Sequence, residues 1–480
     1  MQKTKLNKCL IGLNTLLFCV STTTAGADNM IVVRENTTNT NVTQTGNIFD
    51  VRTTTTSGLN AFNAFNKFDV NSGTTVNMHL PSGTENLINL IYGQKTNIDG
   101  TLNSIKDGTV GGGNIFMLNP NGFLIGENST INVGSLALSA PTQDFMDDVL
   151  KKKEDAIKSV LGKEGASAIP LDKNGLITVK TKNINAKDGV YIKSANVQIS
   201  DLVNTGNIDI EGRSITVDNN AIISAANKTK DVVIRAKNTS TEYVETGISV
   251  GENASISGKN ITLEATSNIG VDSVASVDAD KSIIIGTHLG EMQVSPFVGV
   301  ASLKAKTFID IAKGAKLDAA ENLKLNVFSN VNATSYVGSP LYFSSVIGAI
   351  DNTSLITVAD GASLTAGKDL ELKSLSNNVM SLMAATITGE FFPDDGFALA
   401  IGNLDSVNKI DVGNATLKAG DNMNIEALTN KDMSVSTMTF GLPESRSAAD
   451  IAIALSDVKN IVSVGGDVSA KMPWLMWIIG

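Results

Sequence analysis

Four stretches of this 480-residue chain share one layout: "ASISGKNITLEATSN" (254–268), "AKLDAAENLKLNVFSN" (315–330), "ASLTAGKDLELKSLSN" (362–377) and "ATLKAGDNMNIEALTN" (415–430). Each has a short alternating strand, a polar corner of two to four residues, a second alternating strand, and a Ser/Thr-Asn stop. Lead-ins recur as "LITVADG" (355–361) and "KIDVGN" (409–414). Units of this size, with no helix recurring between them, cannot bury an apolar face alone and must stack on their neighbours. The expected architecture is therefore a β-solenoid, in which each strand pairs with the matching strand one turn away. Inward positions such as Leu323, Leu325 and Val327 then align along the axis. Unit starts lie 61, 47 and 53 residues apart, room for two or three rungs each. At roughly 20–25 residues and about 4.8 Å per rung, the rod would reach on the order of 100 Å. A set of β-sandwiches is the main competitor, but it needs regular hairpins, and the Asn-Gly and Asp-Gly pairs are irregularly spaced.

Composition agrees with turn-rich β structure. Charged residues make up 18% and aromatics 5%, with Asn, Thr, Ser and Gly filling the gap, while 42% apolar content argues for a packed chain. Residues 1–27 read as a secretory signal peptide. Lys3, Lys5 and Lys8 precede an apolar run from Cys9 to Val20, and Ala25 and Ala27 stand in A-x-A spacing, with cleavage expected after Ala27. Bulky Phe18 before Cys19 argues against a lipoprotein. Both cysteines lie in this leader, so an exported mature chain would hold together without disulfides. It would carry 35 Lys and Arg against 48 Asp and Glu, which disfavours nucleic acid as a partner and favours solubility.

Two local features interrupt the pattern. In "GLNAFNAFNKFDVNSGTTVNMHLP" (58–81), Phe62, Phe65 and Phe68 are three apart, yet the polar surroundings favour strands with aromatics stacked at a core end. In "PTQDFMDDVLKKKEDAIKSVLGKEG" (141–165), one amphipathic helix is expected near 144–162, with Met146, Val149, Leu150, Ile157, Val160 and Leu161 on one face. Asp144, Asp147 and Asp148 suit its N-terminus, and Asp147–Lys151, Asp148–Lys152 and Glu154–Lys158 are spaced for ion pairs. Gly162 or Gly165 ends it. Its expected role is to cover an edge of the β structure or mark a junction. Both tryptophans fall in "KMPWLMWIIG" (471–480), after "IVSVGGDVSA" has begun a repeat whose corner and second strand are missing. A truncated end is the expectation there.

The most emphatic corner is "NPNG" at 119–122, inside "VGGGNIFMLNPNGFLIGENSTINVGSLALSA". Pro120 fixes its own φ and pushes Asn119 toward an extended conformation, while Asn121 and Gly122 tolerate positive φ. In this context the stretch resembles the secretion domain of two-partner-secretion exoproteins, the filamentous-haemagglutinin-like adhesins. "GLNAFNAFNKFDVNSGTTVNMHLP" and "ENLINLIYGQKTNIDGTLNS" resemble in particular the leukotoxin-type members. The resemblance implies a right-handed parallel β-helix, an outer-membrane transporter as direct partner, and a secretion motif at Asn119, Pro120, Asn121 and Gly122. The family's second motif, Asn-Pro-Asn-Leu, has no intact copy, and Asn86–Leu90 lies nearest its place. The expected division is a signal peptide at 1–27, a secretion β-helix domain at 28–143, a helical insertion at 144–165, solenoid repeats at 166–470 and an atypical end at 471–480. A chain whose strands pair mainly with adjacent rungs is also suited to fold progressively as it emerges from a transporter, which opposes backward sliding.

The sequence carries no recognisable catalytic signature. His79 and His288 have no Cys, His or paired carboxylate at ligand spacing, so no metal is expected. There is no G-x-S-x-G elbow, and Gly111–Gly113 is not followed by G-K-[ST]. Asp394–Asp395 in "GEFFPDDGFALA" reads as a turn, beside Phe391 and Phe392. The regular glycine-aspartate calcium repeat is absent. The sequence thus points to a secreted, non-enzymatic surface adhesin without a cofactor. A leukotoxin-like cytotoxin and a secreted carbohydrate-active β-helix enzyme are the alternatives.

Overall fold

The computed structural model describes residues 30–238, 245–276, 298–339, 343–388, 395–441, 447–471 and 475–479. The signal-peptide reading with Ala25 and Ala27, together with His288, Phe391, Phe392, Asp394 and Trp474, lies outside the described residues. The chain forms an all-β parallel β-helix. One ladder runs through strands Asn60–Phe68, Asn86–Ile91, Asn114–Leu118, Thr130–Ser139, Leu176–Lys193 and Ile208–Gly212. It continues through Val232–Asn238, Ile261–Ser276, Leu323–Ser339, Leu370–Thr388, Met423–Gly441 and Leu475–Ile479. Twelve strands in register give eleven steps, or roughly 53 Å at about 4.8 Å each. That is about half the expected length.

The shortfall comes from rung size. Ile256 pairs with Leu317, Leu317 with Leu364, and Leu364 with Leu417. Each sequence unit is therefore one large rung, not two or three. The early rungs are short, as Asn60 to Asn86 to Asn114 shows. The late ones are long because each carries a fin. The Ser/Thr-Asn positions do not stop the strands: Asn268, Asn330, Asn377 and Asn430 pair in register, and the strands run on to Ser276, Ser339, Thr388 and Gly441. Returning strands Val298–Ile311, Phe343–Val358, Asp395–Ala419 and Ser447–Ser469 stack in a second ladder. Between outgoing and returning strands lies a second apolar core that includes Val331, Val346, Leu382 and Leu404. The main core holds Leu323, Leu325 and Val327, facing inward as alternation predicts.

A buried polar waist separates the two cores. Ser329 Oγ donates to Asn352 Oδ1 at 2.7 Å, and Asn352 Nδ2 donates to Ser376 Oγ at 2.8 Å and Asn378 Oδ1 at 2.6 Å. Asn378 passes the chain on to Ser406 Oγ at 3.0 Å. These buried side chains are satisfied by one another, whereas the Ser267, Thr307 and Ser354 hydroxyls of the same region are buried without a hydrogen-bond partner. The polar residues that read as strand ends mark the crossing from one lobe to the other. The terminal segment also continues the ladder: Asn424 to Leu428 pair with Leu475 to Ile479, supplying the strand that seemed missing.

At the other end, antiparallel strands lie over the first rung: Thr40–Thr45 pairs with Ile48–Thr53, and Ile31–Val33 with Asn60–Phe68. The latter pairing shifts register between Val32 and Val33, opposite Lys67 and Phe65. A strand would normally send Phe65 and Phe68 to opposite faces. The bulge rephases them, so both enter the main core with ring centroids 5.1 Å apart, while Phe62 faces the outside of the coil.

That outer face is covered by helices. The expected single helix is two, α1 (Gln143–Leu150) and α2 (Glu154–Val160), split at Lys151–Lys153, where Lys152 has φ 57°. Folding back lets both pack Met146, Val149, Ala156 and Val160 onto Phe62, Ile88, Leu90 and Leu118. A straight helix would carry its second half off this patch. The break also changes the ion pairs: Asp148 meets Lys153 at 2.7 Å rather than Lys152, while Glu154–Lys158 forms as spaced, at 2.7 Å. Lys152 instead stands 5.8 Å from the Phe62 ring centroid. Gly162, at φ 60°, follows the α2 C-cap residue Leu161. The pair covers a face of the coil rather than an edge. Among the described residues, no helix is long and apolar enough to cross a membrane.

Candidate functional site

The NPNG corner sits between strands Asn114–Leu118 and Phe123–Ile125. The Gly122 amide donates to Asn119 O at 2.9 Å, closing a four-residue turn with Pro120 and Asn121 at its centre. Of the two residues expected to tolerate positive φ, only Gly122 uses it, at 80°. The Asn119 side chain is fully buried and triply engaged. Its Nδ2 donates to Gln94 O at 2.9 Å and Thr96 Oγ1 at 3.0 Å, and its Oδ1 accepts from the Asn121 amide at 2.9 Å. Gln94 and Thr96 belong to the preceding rung, so this side chain staples one turn of the coil to the next. Asn121 is exposed, and its Nδ2 reaches Gly93 O. On the other side, a Cβ at Gly122 would lie 2.0 Å from Leu176 O. The corner is thus held from both directions along the axis.

The rung beneath places Tyr92–Lys95 at the equivalent corner, since Leu90 pairs with Leu118 and Thr96 with Phe123. Tyr92 ties this corner to its surroundings. Its ring lies 3.8 Å beneath the Arg34 guanidinium, and its hydroxyl donates to Met146 O at 3.4 Å. Burial, with Asp147 nearby, pushes the phenol well above its ordinary pKa, so it stays a donor. Asn86–Leu90 is strand rather than corner. Asn89 is buried and bonded to Asn63, Leu87 O and Phe116 O, and Asn86 joins an amide ladder with Asn60 and Asn114 at 2.9 Å per link. Sequence reading named the turn but missed its anchors, Gln94, Thr96 and Leu176. For Gln94 and Thr96 the available signal was a separation of about one rung from Asn119, which needs the register first; Leu176 is displaced further along the sequence by the two helices.

For Asn119→Ala, three bonds are lost inside the coil, and a loss of about 2–3 kcal/mol in stability is expected. Asn121→Ala, at the surface, should cost about 1 kcal/mol or less. Chemical denaturation of the two variants beside the parent checks the difference.

His79 does not gather metal ligands: its Nε2 sits 2.6 Å from Asp50 Oδ1, which also accepts from Asn77 at 3.2 Å. Among the described residues no three His, Cys, Asp or Glu side chains group as a metal site. The His79 hydrogen bond holds the Asp50 carboxyl below its ordinary pKa, against the opposing effect of burial. A depressed carboxylate contributes stability above its unfolded pKa, near 4, and loses it as pH falls through the folded value. The covering strand Ile48–Thr53 should therefore loosen below about pH 4. Hydrogen exchange of Asp50→Asn beside the parent, at pH 3 and pH 6, should show the acid sensitivity only in the parent. Gly111–Gly113 leads from the short antiparallel excursion at Thr109–Val110 into the next rung, and Asp395 is exposed.

Residues 31–294 match the family model described as the TPS secretion domain. No curated protein matches the chain. Among solved structures, the crystal structure of the HMW1 secretion domain from Haemophilus influenzae is similar over 89% of this chain and 98% of that one, at 14% identity and a TM-score of 0.33.

Proposed function

The chain belongs to the two-partner-secretion exoproteins, and from that membership we propose that it is a non-enzymatic adhesin displayed at the cell surface or released from it. Proteins of this family are exported across the outer membrane by a transporter partner. The observation that carries the adhesin reading is the continuation of one coil past the matched residues 31–294, into the finned rungs from Val298 to Ser469. A rigid extension with a broad lateral face is suited to holding a binding surface away from its anchor. On the outer face of the coil Asp209 is ion-paired with Arg235 and Glu211 with Lys237, which holds these two carboxylates in the charged form and does not suit a general acid.

The secretion motif is proposed to act through folding. In the folded coil, Asn119 and Pro120 are buried, so a transporter reads them before the rung closes, or profits from the closure. Each rung that closes outside the membrane opposes backward sliding of the chain. The test is to incubate the exported protein with cultured epithelial cells and leukocytes, scoring retention and lysis. Saturable retention without lysis is the expected result. Lysis at comparable protein concentration favours the cytotoxin, and the absence of both retention and lysis on every cell type overturns the adhesin reading.

A further inference from the structure

Beside α2 the outer face of the coil carries a cleft of about 790 Å³. Its floor is made of small side chains, Ser135, Ala137 and Ser139. Phe116, Ala137 and Tyr191 occupy one column on three successive rungs, because Phe116 pairs with Ala137 and Ala137 with Tyr191. Two aromatic side chains thus flank a methyl group, about 9.5 Å apart along the axis. Asn86 and Asn114 line the Phe116 side, and Asp209 and Glu211 the Tyr191 side. Tyr191 is 39% exposed, and its hydroxyl donates to Asp188 O at 3.2 Å, which fixes the ring against the coil beside the cleft.

The occupant must satisfy three conditions. It must offer apolar faces to Phe116 and Tyr191, and hydroxyl or amide groups to the polar rim. It need not carry charge: Arg235 pairs with Asp209 at 2.7 Å and Lys237 with Glu211 at 3.1 Å, and among the remaining charged residues of the lining Glu85 and Asp188 are balanced by Lys163 and Lys193. It does not add a strand, because the floor is the side-chain face of a fully paired sheet, with no free edge for a peptide. Sugar rings meet all three, with C–H faces for the aromatics and hydroxyls for the rim. We propose that this cleft is a binding site for neutral oligosaccharides, with Tyr191 as its stacking platform. The site deepens the adhesin reading and rests on it for its biological setting.

The exported full-length protein should be applied to an array of neutral, sialylated and sulfated oligosaccharides, beside Tyr191→Ala and Ala137→Phe. Protease resistance of each variant confirms folding. Retention on neutral hexose or N-acetylhexosamine chains is expected, falling at least about tenfold in both variants. Retention on none of the glycans, retention only on the charged ones, or wild-type retention by both variants overturns the proposal. Cell binding is scored separately. Variants that lose the saccharide but keep cell binding leave the cleft standing and place adhesion elsewhere. Cell binding by a parent that ignores the array overturns the cleft and leaves adhesion standing.

Discussion

Gly122→Ala is expected to destabilise the N-terminal rungs by about 3–5 kcal/mol, the larger of two effects that the structure sets apart. The added Cβ would lie 2.0 Å from Leu176 O and 2.7 Å from Leu176 C, backbone atoms of the adjoining rung. Neither can move without breaking the ladder that pairs Phe123 with Ile177. The residue also stands at φ 80°, where an alanine is strained even in open space. Gly83 is the control: its φ is 77°, but a Cβ there meets nothing within 4 Å. Gly83→Ala should therefore cost only about 1 kcal/mol. Urea unfolding of both variants, read by hydrogen exchange at residues 114–139, gives the difference. Equal losses would mean that the close approach to Leu176 is unimportant.

Asn352→Leu is expected to cost about 2–4 kcal/mol at the polar waist, although it adds apolar volume to a buried site. Asn352 is 1% exposed and bonded to Ser329, Ser376 and Asn378. Leucine leaves the Ser329 hydroxyl without this acceptor and removes the donor to the Asn378 carbonyl. The loss should stay local, because each rung of a coil touches only its neighbours. Faster exchange is expected in strands Leu323–Ser339, Phe343–Val358 and Leu370–Thr388, with the rungs from Asn60 to Ser139 unchanged. Uniform loosening of the whole coil would show that the two cores unfold as one.

The alternation of Leu323, Leu325 and Val327 disclosed both the coil and the inward face, because period-two patterning is a local property. The size of a rung was not legible. Whether residue 256 stacks on 317 or on a closer repeat depends on register, which local pattern does not carry. The Asn-rich ends of the repeats misled for a related reason. Asn and Ser usually punctuate strands, yet across a stack of identical rungs they bond to their own kind, as Asn377 does to Asn330 at 2.8 Å. The helix was visible from its apolar face, and its break was not, since the position of the patch around Phe62 decides where the chain must fold back. At the corner, Pro120 and Gly122 announced a turn. The burial of Asn119 between rungs depends on residues about one rung away.

The measurement that tests the account most directly is export of the full-length chain, with and without its transporter partner, for the parent, Asn119→Ala, Asn121→Ala and Gly122→Ala. Export should require the transporter, fall steeply for Asn119→Ala and Gly122→Ala, and fall little for Asn121→Ala, following the stability of the corner. Export without the transporter would contradict the central claim. So would a block by Asn121→Ala alone, because the corner would then act as an exposed tag and not through the closing of a rung.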